Sequence, residues 1–424
     1  MRGSLSILVI LAINADWLVG GRARSEDWLQ FRGSTGQGHS TATNVPIEWS
    51  DTRNVSWKRE LPGAGWSSPV VGKGRVYLTS AVPVEGSSAG DQSLVALCLD
   101  ADTGRGIWSE PIFLQDGATA PSIHQKNGHA SATPLIEDER LYVHFGHQGT
   151  ACLDLTGKIV WRNRDIKFDP GWGNGGSPIV VGGALIFSCD GRTEQFVIAL
   201  DKKTGKVLWK TDRPKVENPR QYSFCTPLLI DVEGRPQVVF PATDVVVAYE
   251  PQTGREIWRV RYVGDSIVPR PVFGHGLVFV TTDYHSATLM AIRPDGKGDV
   301  TDTHVAWTIR RGVPGTPSLL LVDSELYMIS DEGIASCLDA KTGRLHWQKR
   351  IGGNYSASPV YAEGRIYLQD EEGTGVVLAA GRSFEQLARN PIGSRTLASY
   401  AIGQGALFIR SEKHLYRIAS PPKP

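Results

Sequence analysis

A chain of 424 residues with 45 Lys and Arg against 44 Asp and Glu has a formal net charge of +1, which excludes the broad basic footprint of a nucleic-acid binder. Its 47 glycines, 25 prolines and 12 tryptophans are the turn residues and bulky β-formers of a protein made of many short strands. Disorder does not suit that composition.

The chain opens with Arg2, an apolar run from Leu5 to Ile13 and small residues around Ala23, the pattern of a secretory signal over residues 1–25. Export to the periplasm or cell envelope is expected. No later run is long enough to span a bilayer, so direct membrane insertion is not expected. No cysteine precedes Cys98, which argues against a lipid-modified N-terminus. Residues 26–54 read as an arm lying on the main domain. Within it "GSTGQG", Gly33 to Gly38, lacks the strand-then-helix context and glycine order of a phosphate-binding loop.

From residue 55 the chain repeats itself. "LDADTGRGIW" ends at Trp108, "LDLTGKIVW" at Trp161, "LDKKTGKVLW" at Trp209, "YEPQTGREIW" at Trp258 and "LDAKTGRLHW" at Trp347. Trp307 closes an expanded copy, "IRPDGKGDVTDTHVAW", and Trp57 stands in "NVSWKREL" without a preceding half. Successive tryptophans fall about 40 to 53 residues apart, the period of a blade of several strands. The Asp of each phrase can accept backbone N–H groups, the Gly supplies positive φ for a tight hairpin, and the Trp offers an apolar face to a neighbouring blade. Cys98, Cys152 and Cys337 sit two residues before the acidic turn residue, where other copies have Ala199, Ala248 and Ala291, and read as small core residues.

Two further phrases run in step. Pro69, Pro134, Pro178, Pro227, Pro271, Pro317 and Pro359 each open a short strand, placed along a central channel because an edge residue can lack a donor. An alternating strand such as "RVYLTS" or "RIYLQD" follows each one. Seven four-stranded modules run from Ser67 to about Asn390, the last with Leu387 at the tryptophan position. An eighth, from about Leu397 to Ile418, lacks its fourth strand, which Val55 to Leu61 can supply. The prediction is all-β: a single eight-bladed β-propeller over residues 55–420, closed by pairing of the N-terminal strand with the last blade.

These residues resemble the pyrroloquinoline-quinone (PQQ)-type β-propeller repeat family, whose blades carry the same "AxDxxTGxxxW" phrase. Among its members the chain is similar to the short single propellers, of the BamB type and of the exported kind found in planctomycete-type bacteria, and "DWLQFRGSTGQG" at 27–38 and the expanded blade are similar to the second kind. The resemblance implies fold strongly and function weakly, because the repeat serves packing. It also points to quinoprotein dehydrogenases, which hold PQQ and Ca²⁺ over the channel. Against that reading, the chain is short, and its five cysteines (98, 152, 189, 225 and 337) include no adjacent pair.

Candidate ligand residues sit where segments approach the Pro-led strands at one channel mouth: Trp66, His129, Trp172, Asn174, Tyr222, Asp265, Arg311 and Tyr355. Arg270 replaces the small residue found before proline elsewhere (Ser68, Thr133, Ser177, Thr226, Thr316 and Ser358), so it needs an acidic partner, water or a ligand. Asp190, Asp244, Asp283, Asp331 and Asp370 end second strands and read as turn formers. Asp283 with Tyr284 and His285 adds acid-base groups. Cys189 and Cys225 lie on one rim, where a disulfide is an open alternative; the His144 and His147 pair and Asp295, Asp299 and Asp302 are weak metal candidates, and no metal site is expected. The resulting expectation is an exported, non-catalytic, monomeric propeller that presents its channel mouth to a protein or small-ligand partner. The alternative is a PQQ- and Ca²⁺-dependent dehydrogenase of alcohols or sugars, with Trp172, Asn174, Asp190, Arg270 and Asp283 as its nearest candidate parts.

Overall fold

In the computed structural model, residues 27–87 and 90–420 are described; the leader expected over residues 1–25 lies outside them. Eight antiparallel sheets follow one another around a ring. Blade 1 runs from Val70 to Gln115, blade 2 from Leu135 to Asn163, blade 3 from Ile179 to Asp212 and blade 4 from Leu228 to Arg261. Blade 5 spans Val272 to Ile309, blade 6 Leu320 to Arg350 and blade 7 Val360 to Pro391. Blade 8 contributes three strands between Ala401 and Ala419, and Val55–Glu60 adds the fourth by antiparallel pairing with His414–Ala419. Closure by the N-terminal strand is therefore as the repeat predicts, and it leaves no open blade between the two ends of the array.

The hydrophobic clusters lie between blades, where each sheet covers its neighbour. Tryptophan is the recurring staple. Trp57, Trp108, Trp161, Trp209, Trp307 and Trp347 each donate Nε1–H to a backbone carbonyl of the following blade, at 3.0–3.2 Å. For all but Trp347, the Gly of that blade's Thr-Gly turn lies beneath the indole: a Cβ on Gly205 would come within 2.5 Å of the Trp161 ring. Glycine is thus required both by its φ of +72° and by the indole above it. The small residue before each turn has a cause as well. Cys98 pairs across the sheet with Trp108, Cys152 with Trp161, Ala199 with Trp209 and Cys337 with Trp347, so the indole faces a small side chain beside a β-bulge. All five cysteines are free and buried, so Cys189 and Cys225 do not pair.

Two local readings need correction. Register places Ala388, not Leu387, at the tryptophan position of blade 7, opposite Val377. Trp49 of the arm, 3 % exposed, supplies an indole at that blade instead, packed on Gly375, Tyr367 and Tyr400 and held by Asn390, whose Oδ1 accepts the Trp49 N–H at 3.1 Å. Trp258 is fully buried and donates within its own blade, to Gln237 Oε1 at 2.7 Å. The expanded loop of blade 5 replaces the Thr-Gly turn it would meet, and Gly298–Asp299 pairs in parallel outside Trp258 and Arg259.

Candidate functional site

The strands nearest the axis define the site. In blades 1, 2, 3, 7 and 8, Ser68, Thr133, Ser177, Ser358 and Ser399 each present a hydroxyl, and every one accepts the backbone N–H of its neighbour around the ring. Thr226 accepts from Ser177, and Ser318 from Arg270. Blade 6 therefore enters the ring with Ser318, two residues after the expected Thr316, because its strand starts at Leu320. Arg270 takes the eighth place, so blade 5 offers no hydroxyl to blade 4.

One end of the channel is closed by the arm. Trp28 exchanges both backbone hydrogen bonds with Val71, Leu29 O accepts from Ile136 N, and Tyr361 N donates to Gly38 O. This suspends Phe31 and Arg32 near the axis. Arg270, 2 % exposed, donates Nη1–H to Phe31 O at 2.7 Å and Nε–H to Pro227 O at 2.9 Å. Of the acidic partner, water or ligand that the sequence called for, no acidic side chain among the described residues pairs with it, and carbonyl oxygens serve as its acceptors. Arg32, 1 % exposed, donates Nη2–H to Gln37 O and Leu319 O. The "GSTGQG" glycines clear space for these cations: a Cβ on Gly36 would fall on the Arg270 guanidinium and one on Gly38 against Arg32. Burial lowers Arg270 to about 10, and burial with the neighbouring Arg270 charge lowers Arg32 to about 9, so both remain protonated at neutral pH.

Above Phe31 opens a cavity of about 450 Å³, with the seven ring hydroxyl residues in its wall. Its mouth is roofed by the long connection from blade 1 to blade 2. His124 N and Asn127 Nδ2 both donate to Trp172 O, Lys126 pairs with Glu371 at 2.8 Å, and Gln125 O accepts from Arg395 Nη2. The His124 ring meets Trp172 and Tyr284 edge-on, 6.4 and 5.9 Å between centroids. Burial, then Lys126 and His285, push the His124 pKa down. At Lys126 burial opposes the charge, but Glu371 outweighs it, with help from Tyr284 and Asp331, and holds the ammonium above its ordinary range.

Of the residues singled out in the sequence, Trp66, Trp172 and Tyr222 line this cavity, and Trp172 Nε1 donates to Tyr222 Oη at 2.9 Å. Arg270 lies at the ring. Asp283 accepts the His285 N–H while Tyr284 and His285 form the wall, and Asp265 approaches Arg220 at 3.8 Å. The others turn elsewhere. His129 bonds Gln115, Asn174 bonds Gly176 O and packs on Gly146, Arg311 is exposed, and Tyr355 is buried beneath the rim. Phe31, His124, Lys126 and Phe224 were not singled out as cavity residues, because loop length and arm path set their position, not the repeat.

The remaining metal candidates are engaged locally. His144 Nδ1 bonds Thr150 and its ring packs on Phe187, and Asp299 accepts from Thr301 and Arg261. Among the described residues no group of three or more His, Cys, Asp or Glu side chains gathers to hold a metal. For PQQ with Ca²⁺ the cavity's donors do not fit, since Ca²⁺ favours carboxylate oxygens and among the described residues no carboxylate lines the wall. Glu371, the nearest by its contacts, is committed to Lys126 and Ser356. Asp190, the other acidic candidate, forms a buried two-pronged pair with Arg213 at the blade 3 rim.

Among the described residues no helix is long and apolar enough to cross a membrane. The family model for the outer membrane protein assembly factor BamB matches residues 299–383. The Yersinia pestis protein of that name is 23% identical over 245 residues, covering 54% of this chain and 59% of that protein. A quinohemoprotein alcohol dehydrogenase, ADH-IIG, of Pseudomonas putida is 28% identical over 156 residues, 32% of this chain and 20% of the enzyme. The chain thus spans less than two thirds of the curated relatives it matches. The crystal structure of the quinohemoprotein alcohol dehydrogenase of Comamonas testosteroni superposes with a TM-score of 0.67 at 13% identity, over 95% of this chain and 82% of that one, a likeness of fold alone. Repeat phrase, eight-bladed ring and these matches together support a likeness to the PQQ-like β-propeller repeat family.

Proposed function

We propose that this protein is a non-catalytic binding propeller of the cell envelope, which receives a small ligand in the channel cavity under the roof of the blade 1 to blade 2 loop. The observation that carries the reading is a cavity of about 450 Å³ with one end closed by the arm and a rim of Trp66, Trp172 and Tyr222. That size lies within the roughly 300–1,000 Å³ usual for ligand pockets, and few convergent polar groups among aromatic walls are their ordinary composition. The envelope location is drawn from the leader-like first 25 residues and from the named role of the BamB relative. Loops around the same mouth offer a partner protein its nearest surface.

Native mass spectrometry of protein purified from its own cells tests this. A bound small molecule, lost in Trp172→Ala and Tyr222→Ala variants that still fold, is the expected result. An unliganded protein whose thermal midpoint no small-molecule panel raises would sink the cavity reading. The second reading, a quinoprotein oxidoreductase, draws on the dehydrogenase likeness. Saturable PQQ binding with Ca²⁺ and dye-coupled oxidation of alcohols or sugars would establish it against the non-catalytic one.

A further inference from the structure

We propose that the cavity selects an organic anion, a carboxylate carried on an apolar ring body, with the carboxylate directed at the hydroxyl ring beside Arg270 and the body held between the aromatic side chains of the mouth. This rests on the binding reading above and names the chemistry of its ligand.

Charge behind Phe31, just outside the cavity lining, is unbalanced. Arg270 and Arg32 are 2 % and 1 % exposed, the Arg270 charge opposes that of Arg32, and among the described residues their side chains have only carbonyl oxygens as partners. Arg32 Nε and Nη1 have no partner at all among the described residues. Two like charges buried without a carboxylate are costly, and an anion above them offsets that cost. At the mouth, by contrast, Lys126 already faces Glu371, and Arg220 faces Asp265. The uncompensated positive field therefore lies inward, and it orients a ligand acid group first.

The wall supplies matching donors. Ser68, Thr133, Ser177, Thr226 and Ser399 each spend an oxygen lone pair on a neighbour's backbone N–H, and among the described residues their own O–H groups find no acceptor. Hydroxyls fixed in this way are donors pointing at whatever fills the ring. Among the described residues no carboxylate lines the cavity to compete with, or repel, an anionic ligand. Farther out, Trp66, Trp172, Tyr222 and Tyr284 give the broad apolar faces that a planar body requires.

Calorimetric titration of the full protein with 2-naphthoate and its neutral isostere 2-naphthamide tests the proposal, with inorganic phosphate as competitor. The acid should bind at least about tenfold more tightly than the amide, since charge-assisted hydrogen bonds are roughly twice as strong as neutral ones. Arg270→Met should abolish that preference while amide binding persists. If this variant does not fold, the wild-type acid-to-amide ratio decides alone. Equal affinities would overturn the anion assignment and leave the cavity reading standing, and no binding of either probe would overturn the aromatic-carboxylate assignment, while the native mass spectrum and the ligand panel decide the cavity reading separately. Phosphate displacing naphthoate at equal concentration would overturn the requirement for an apolar body.

Discussion

Gly205→Ala separates two demands that one residue meets. Its φ is +72°, and a Cβ there would meet the Trp161 ring at 2.5–2.9 Å. Gly364 has nearly the same φ, +74°, with nothing within 4 Å of an added Cβ. Left-handed backbone at a non-glycine residue costs about 1–2 kcal/mol, which is all that Gly364→Ala should lose. Gly205→Ala should lose that plus about 1–3 kcal/mol for forcing an indole out of a packed joint whose Nε1–H bond to Lys202 O it also disturbs. Denaturant midpoints at unchanged slope measure the difference. In a Trp161→Leu background the excess should vanish, because the ring that the methyl strikes is gone. Equal losses at positions 205 and 364, or an excess that survives Trp161→Leu, would refute the view that each turn glycine is kept by the tryptophan of the preceding blade.

Trp49→Ala should destabilise by about 3–5 kcal/mol, as for other buried large-to-alanine changes, although Trp49 lies outside every repeat; a melting curve checks this. Asp190→Ala should cost about 3–5 kcal/mol by stranding the buried Arg213 charge, and a joint Asp190→Leu, Arg213→Met replacement should cost less in the same denaturation assay. Burial lowers His144 from 6.5 to about 3 and His147 to about 4. The unfolded chain takes up these protons first, so stability should fall as pH drops from 6.5 toward 4 and 3, and His144→Asn should flatten that slope. With all five cysteines free and buried, reductant should leave the melting temperature unchanged and thiol reagents should react only on unfolding.

The sequence carried the fold because each blade repeats a local solution: Asp201 Oδ1 accepts Thr204 N–H and O–H at 2.8 Å, and Asp100 and Asp339 do the same in their turns. Such bonds join near neighbours and leave a phrase that can be read. Ring closure was legible for a related reason, since a three-stranded remnant and an orphan strand complete one another. The candidate site was less legible. Phe31, Lys126 and Trp49 act through partners far along the chain, at Arg270, Glu371 and Asn390, and no spacing records such contacts. Ser318 escaped because the familiar Thr-Pro at 316–317 sits two residues early, and only strand register shows which hydroxyl turns to the axis. Trp172 and Tyr222 were visible as aromatic residues before Pro-led strands, but so were His129 and Tyr355, which the loop geometry sends elsewhere.

The pairing of Val55–Glu60 with His414–Ala419 also sets the timing of assembly. The strand made first waits for the strand made last, so blades 1 to 7 can form in order during synthesis while blade 8 cannot. Until His414–Ala419 has been made, the growing array keeps two unmatched edges, and the arm that spans blades 1, 2, 5, 6 and 7 has nothing complete to lie across. Long-range contacts of this kind are slow to form, and the unpaired edge is a template for another chain. A chain shortened by its final strand would thus be denied its seal as well as a few residues, and its damage should be seen as association between copies in place of a local fray.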